Sequence, residues 1–128
     1  MSSNILFRTA HEIAAAVTAG RVTARFVTEA AIAHIEATNG KLGAFTDPTF
    51  ARALAEADAV DAAVAGGAAL PLAGVPYSVK NLFDIAGVVT RAGSKINRDN
   101  PPAKADAFLI QRMKSAGAIL LGGVNMGE

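Results

Sequence analysis

The sequence predicts an α/β fold, with helices over residues 1–67 followed by a β-α-β unit within residues 71–128. Three observations predict it. Apolar residues recur at helical spacing through the first half. Two short apolar runs, residues 74–79 and 118–121, replace that pattern in the second half. Between them lie a polar loop and a helical stretch, which give the length a parallel crossover needs.

Thr9 and Glu12 form a T-x-x-E capping box ahead of Ile13, Ala16 and Val17, and Gly20 stops that helix. A second helix begins near Thr23 and carries Phe26, Val27, Ala30, Ala31 and Ile35 on one side. Asn39-Gly40 ends it with a C-cap signal. Asp47-Pro48 reads as a cap followed by proline at the first helical position, opening a third helix. Phe50, Leu54, Ala57, Val60 and Val64 then recur at helical spacing, and Gly66-Gly67 closes the element.

The second half changes character. Residues 74–79, Gly-Val-Pro-Tyr-Ser-Val, read as a strand with Pro76 near its start or at an edge. Leu82, Phe83 and Ile85 follow, with Gly87 as the turn residue. Residues 91–105 are polar, contain Pro101-Pro102 and read as a long loop. Asp106 can cap a helix running to Ala116, with Phe108, Leu109 and Met113 inward. Gly117 ends it, residues 118–121 form a second buried strand, and Gly122-Gly123 reads as the turn after it. The unit is expected to be parallel and right-handed.

Two strands do not make a stable sheet, and both runs are apolar enough to want cover on two faces. The sequence ends at Glu128, a few residues after the second strand. The expectation is therefore a sheet incomplete in this chain, as in a portion of a larger domain. The alternative is a small α+β domain that pairs with another chain.

Composition narrows the function classes. The chain has 128 residues, enough for one core. Twelve Lys+Arg against 11 Asp+Glu give a net charge of +1, which supplies no electrostatic case for nucleic acid or an anionic membrane. Cysteine is absent, which excludes disulfides, thiolate zinc sites and cysteine nucleophiles within this sequence. Alanine supplies much of the 52% hydrophobic content and favours helix. No run approaches the apolar length of a membrane span. Residues 1–4, Met-Ser-Ser-Asn, show no basic segment before an apolar run, so a cytoplasmic location is expected.

Lys80 is the candidate catalytic residue. A lysine after a β-rich run is ordinarily a solvated surface residue. Here Val79, Leu82, Phe83 and Ile85 suggest an apolar setting, and burial disfavours an ammonium ion. A lysine made neutral that way can act as a general base. It also sits at the carboxyl end of a predicted parallel strand, where open α/β sheets place their sites.

Gly74-Val-Pro-Tyr-Ser-Val-Lys80 resembles the G-x-P-x-x-x-K segment of the amidase-signature family. Thr90-Arg-Ala-Gly-Ser94 resembles its T-x-x-G-S. Asp106-Ala107, then residues 116–122, then Asn125-Met126 and Glu128, resemble its D-A…A-G-A…G-x-x-N-M-x-E. The order and spacing agree over residues 71–128, and the helical half is similar less specifically. The resemblance implies a mixed-sheet amidase-signature fold. It also implies amide hydrolysis by a serine nucleophile, a second serine in a cis peptide, and a lysine at the position of Lys80. The lysine takes a proton through the bridging serine, an acyl-enzyme forms, the amine leaves and water releases the acid. Both serines belong to a Gly/Ser-rich segment expected beyond Glu128. Ser2, Ser3, Ser78, Ser94 and Ser115 occupy no such loop, so this polypeptide alone is expected to lack hydrolase activity.

Asn81 stands where many members have aspartate, and Gly123 where lysine is common. Within the family, residues 80–87 and 93–99 look most like the 1-carboxybiuret hydrolase branch. That implies a small urea-like amide substrate, no metal or organic cofactor, and a homo-oligomer or a small partner subunit in the complete enzyme. The alternatives are the glutamine-hydrolysing component of a tRNA-dependent amidotransferase or a general amidase. A reading of another class is a non-catalytic domain that binds a partner through an open sheet edge.

The remaining candidates are weaker. His11-Glu12 and His34-x-Glu36 lack the i, i+4 pairing of a zinc helix, and surface or packing roles suffice. Ser94 is a site residue or a turn serine bonding its own backbone, and Asn125 is equally open. Arg91, Lys95, Arg98 and Lys104 make a basic loop, which is a solvated face or an attractor for a substrate carboxylate.

Overall fold

The computed structural model describes residues 5–6, 8–42, 45–80, 83–90 and 100–124, with the side chains of residues 40–42 excepted. In chain order the elements are α1 (Ala10–Thr18), α2 (Ala24–Leu42), β1 (Phe45–Pro48), α3 (Phe50–Ala65), β2 (Pro76–Lys80), α4 (Phe108–Ser115) and β3 (Ile119–Val124). The strands form one mixed sheet in the order β1-β3-β2, with β1 antiparallel and β2 parallel to the central β3.

The N-terminal helices follow local chemistry. Thr9 Oγ1 accepts from Glu12 N at 3.1 Å and Glu12 Oε1 accepts from Thr9 N at 3.2 Å, completing the expected capping box. Gly20, with φ of 75°, turns the chain out of α1. Thr23 Oγ1 accepts from Phe26 N, and α2 begins there as expected. Its first amides have a second, distant acceptor. Asp61 on α3 takes Ala24 N at 2.7 Å and Arg25 N at 3.0 Å, which places a carboxylate on the positive end of α2. The helix runs on through Asn39-Gly40 to Leu42. Asn39 does not cap it. Its side-chain amide instead brackets Phe45, accepting from Phe45 N at 2.8 Å and donating to Phe45 O at 3.3 Å.

Asp47-Pro48 is a correction. These residues are strand β1, paired with Gly123 and Gly122. Proline needs no ladder donor at an edge strand, so it ends β1 rather than opening α3. Thr49 takes the N-cap position of α3, and Gly66 closes that helix with Gly67 at φ of 89°.

The core splits on the sheet. One cluster joins Val17, Val27, Ala31, Ala53, Ala57 and Val60 with Ile119 and Leu121 of β3. A smaller one joins Val79, Ile85, Ile110 and Leu120. Alanine lets α2 and α3 pack closely, because short side chains bring helix axes together. Gly74 serves the same close packing. Its φ is 74°, and a Cβ there would sit 2.9 Å from Val17 Cγ2 and 3.1 Å from Ala24 Cβ.

The β-α-β unit is parallel as expected, but two of its details differ. Phe108 is 70% and Leu109 48% exposed, whereas Ile110 is fully buried. The inward stripe is Ala107, Ile110 and Met113, an i, i+3 series that leaves Phe108 and Leu109 off the contact face. Gly122-Gly123 is no turn. β3 continues through both to Val124, and Gly122 faces Pro48 on one edge and Ser78 on the other. A Cβ on Gly122 would lie 2.5 Å from Asp47 O and 2.9 Å from Pro48 Cα, at a φ of 151°. Glycine is what lets β1 approach. Gly122→Ala is therefore expected to destabilise the fold by about 2 kcal/mol or more. A thermal or urea melt checks it, and an unchanged midpoint would show that β1 does not pair this closely.

Candidate active-site edge and the network behind it

β2 alternates. Val79 is buried against Ile85 and Ile110, and Lys80 faces the other way. Lys80 is the last residue of β2 and pairs with Val124, the last residue of β3. It therefore stands at the carboxyl end of the parallel pair, where the sequence placed it. Its side chain is exposed, contrary to the expected burial. The apolar residues that suggested burial, Phe83 and Ile85, pack on the Val79 side instead. Neighbours in sequence fall on opposite faces of a strand, so an apolar flank does not bury the residue beside it.

The segment after Lys80 is held from several directions. Phe83 N donates to Lys80 O at 3.2 Å, and Ala107 N donates to Asp84 O at 2.8 Å. Asp84 Oδ1 accepts from Thr90 Oγ1 at 2.6 Å. Gly87 N donates to Ala103 O, and Ala103 N to Val88 O, lacing residues 87–88 to residue 103. Thr90 opens the second family-like motif, and this bond ties it to the loop that leaves Lys80.

Behind this edge lies a charged network that the sequence did not disclose. Arg52 on α3 forms a two-pronged pair with Asp106, Nη1 to Oδ1 at 2.7 Å and Nη2 to Oδ2 at 2.8 Å. Its Nε reaches Glu56 Oε2 at 3.0 Å. Glu56 is buried, and its Oε1 accepts from Leu120 N at 3.2 Å. Asp106 Oδ1 also accepts from Ala86 N at 2.9 Å. Asp106 therefore does not cap α4, whose N-cap is Ala107. A guanidinium offers the carboxylate two charge-assisted bonds, more than the helix terminus offers. The Arg52 hydrogen bonds hold the Asp106 carboxyl below its ordinary range, against the opposing effect of burial, and the Asp106 bond raises Arg52. Burial, then the nearby Glu56 charge, pushes the Tyr77 phenol up to about 12. Its hydroxyl is buried without a hydrogen-bond partner among the described residues.

Arg52 and Glu56, at i, i+4 on an otherwise apolar helix, were the only sequence signal for this network. Asn81, Arg91, Ser94, Lys95, Arg98 and Asn125 lie outside the described residues. Lys104 is exposed. His11 and His34 are exposed on α1 and α2, and no cluster of three metal-ligating side chains occurs among the described residues. No described helix is long and apolar enough to cross a membrane.

A family model described as Amidase matches residues 26–128, and the chain belongs to that family. Among its relatives is AtzE, the 1-carboxybiuret hydrolase component of Pseudomonas sp. (strain ADP), 61% identical over 118 residues, covering 91% of this chain and 26% of that one. The GatA-type component of the glutamyl-tRNA(Gln) amidotransferase from Alkalilimnicola ehrlichii is 45% identical over 121 residues, covering 94% of this chain and 25% of that one. In three dimensions the chain superposes with a TM-score of 0.91 and 59% identity on a structure presented as a vestigial protein complex that reveals the origins of an s-triazine catabolic enzyme. That match covers 94% of this chain and 27% of the other. The peptide amidase of Stenotrophomonas maltophilia gives 0.80 and 31% identity, over 93% of this chain and 25% of that one. The chain thus spans about a quarter of the length of these relatives.

The depressed Asp106 carboxyl makes the network pH-sensitive in one direction. Its contribution to stability is fully present above the unfolded carboxyl value of about 4 and is lost as pH falls through the lower folded value. Melts between pH 6 and pH 2 are expected to show this loss in the native sequence and a flatter profile in Asp106→Asn. Identical profiles would remove the assignment.

Proposed function

We propose that this segment supplies the general base, Lys80, of a Ser-cisSer-Lys amide hydrolase acting on 1-carboxybiuret or a similarly small urea-like amide. The observation that carries the reading is the place of Lys80. It ends β2 beside the end of β3, exposed at the carboxyl edge of the parallel pair. That is a position from which an amine can reach groups that cover this edge. Exposure here leaves the burial such a base needs to the parts of the enzyme that pack over it. Sequence similarity to the 1-carboxybiuret hydrolase of the Pseudomonas strain supports the substrate class.

In this mechanism the amine of Lys80 takes a proton from the bridging serine, which takes one from the nucleophilic serine. That oxygen attacks the amide carbonyl, and the tetrahedral oxyanion is held by backbone N–H groups. Collapse expels the amine with a returned proton, and water then releases the acid from the acyl-enzyme. The serine pair is supplied by the portion of the enzyme beyond Glu128, and the chemistry uses no metal or organic cofactor. Assembly with a second copy or a small partner protein, and a cytoplasmic setting, belong to the same reading.

A second reading has its own support in the amidotransferase relatives. There the same hydrolytic machinery releases ammonia from glutamine for transfer. A requirement for glutamine, ATP and a charged tRNA distinguishes it from direct hydrolysis insensitive to chelators.

In the complete enzyme, Lys80→Ala removes the base and leaves a poorly nucleophilic serine, while Lys80→Arg keeps a cation that does not titrate near neutrality. Both are expected to lower turnover by at least about 100-fold, the low end of general acid–base contributions. Thermal midpoints should move little, because an exposed amine contributes little packing. Near-native turnover in Lys80→Arg would mean that charge or bulk is enough, and the base assignment would be withdrawn.

A further inference from the structure

We infer that Arg52, Glu56 and Asp106 are positioning residues for Lys80, a three-residue clamp that fixes the end of β2 and the loop after it against β3. The inference rests on the reading of Lys80 as the base. Lys80 itself touches none of the three. It is held by what surrounds it, and the clamp grips that surrounding on two sides.

On one side, Asp106 holds Ala86 N, three residues past the Phe83 amide that bonds Lys80 O. Asp106 is also the residue before Ala107, whose amide bonds Asp84 O. The loop leaving Lys80 is therefore pinned at Phe83, Asp84 and Ala86. On the other side, Glu56 holds Leu120 N in β3, in register with Tyr77 of β2 and four residues before Val124, the partner of Lys80. Arg52 joins the halves through its fork to Asp106 and its Nε bond to Glu56.

The exposure of the three side chains decides between a clamp and an ordinary surface ion pair. Arg52 is 23%, Glu56 9% and Asp106 13% exposed, whereas the Arg8–Glu12 and Arg25–Asp58 pairs elsewhere have both partners at least 41% exposed. Exposed pairs contribute little and hold little in place. A shielded fork with both carboxylates also bonded to backbone N–H groups fixes geometry as well as charge. Catalytic geometry is sensitive at this level, since a displacement of about 1 Å can cost about 100-fold in rate.

The test is made in the complete enzyme, on whichever of 1-carboxybiuret, biuret and glutamine it turns over fastest. Arg52→Lys keeps the charge and loses the fork, and Asp106→Asn keeps the shape and loses the charge. Each is expected to lower kcat by about 10- to 100-fold, with KM within about twofold because substrate contacts are untouched. A melt must show the variants folded at the assay temperature. In a Lys80→Ala background, Asp106→Asn should cost no further turnover, because both changes act through the same amine. Native kcat in both folded variants overturns the clamp, as does an equal additional loss in the Lys80→Ala background. Failure of both variants to fold shows a structural brace and overturns it too. If Lys80→Arg works normally, the base reading falls and takes the clamp with it. If Lys80→Arg is dead and the clamp variants are normal, only the clamp falls.

Discussion

Leu120 sits where β3 has run past the end of β1, and both its backbone polar groups meet side chains of the segment that follows β1. The last β1 pairing is Pro48 with Gly122. Beyond it, Thr49 Oγ1 donates to Leu120 O at 3.0 Å and Glu56 Oε1 accepts from Leu120 N. Thr49 N also donates to Leu121 O. The strand edge is thereby continued by the start of a helix. A buried backbone group without a partner costs on the order of 1–3 kcal/mol, so this substitution is what allows β3 to be fully enclosed. The consequences spread from there. Glu56 must be buried to reach Leu120, a buried carboxylate needs a cation, Arg52 supplies it, and the remaining prongs of Arg52 capture Asp106. The charged network follows from one unsatisfied stretch of strand.

What was legible in the sequence was local. The Thr9–Glu12 box, the Gly20 stop, the start at Pro76 and the Gly117 break all depend on residues within a few positions of each other, and the structure has each of them. What was not legible is set by distant partners. Asp47-Pro48 satisfies the local rule for a helix start, yet the ladder offered by Gly122 and Gly123 makes it a strand. Asn39 looks like a cap, yet Phe45 holds its amide. Gly122 looks like a turn residue, when its role is to let a neighbouring backbone come near.

The site shows the same division. The place of Lys80 at a strand end could be read from the strand alone, and its family-like motif lies in that strand. Its exposure could not be read, because the period of a strand sends Val79 and Lys80 to opposite faces and the apolar residues downstream follow Val79. Asp106 was found in the sequence, but with a local role. Its real partner, Arg52, is 54 positions away. Arg52 and Glu56 alone would pass as an ordinary i, i+4 surface pair.

The distances along the chain also carry an order of assembly. Thr49 and Leu120 are 71 positions apart, and the Glu56–Leu120 bond spans 64. Closing such loops uses up chain entropy before any ladder bond returns it. α2 and α3 are joined by a short connection, and Asp61 can seat the start of α2 without the sheet. Contacts close in sequence form before distant ones, so the helical layer is the template on which β3 is laid down. The last strand to leave the ribosome in this segment is thus the one on which the sheet waits, and the charged side chains of α3 are already facing the place it will occupy.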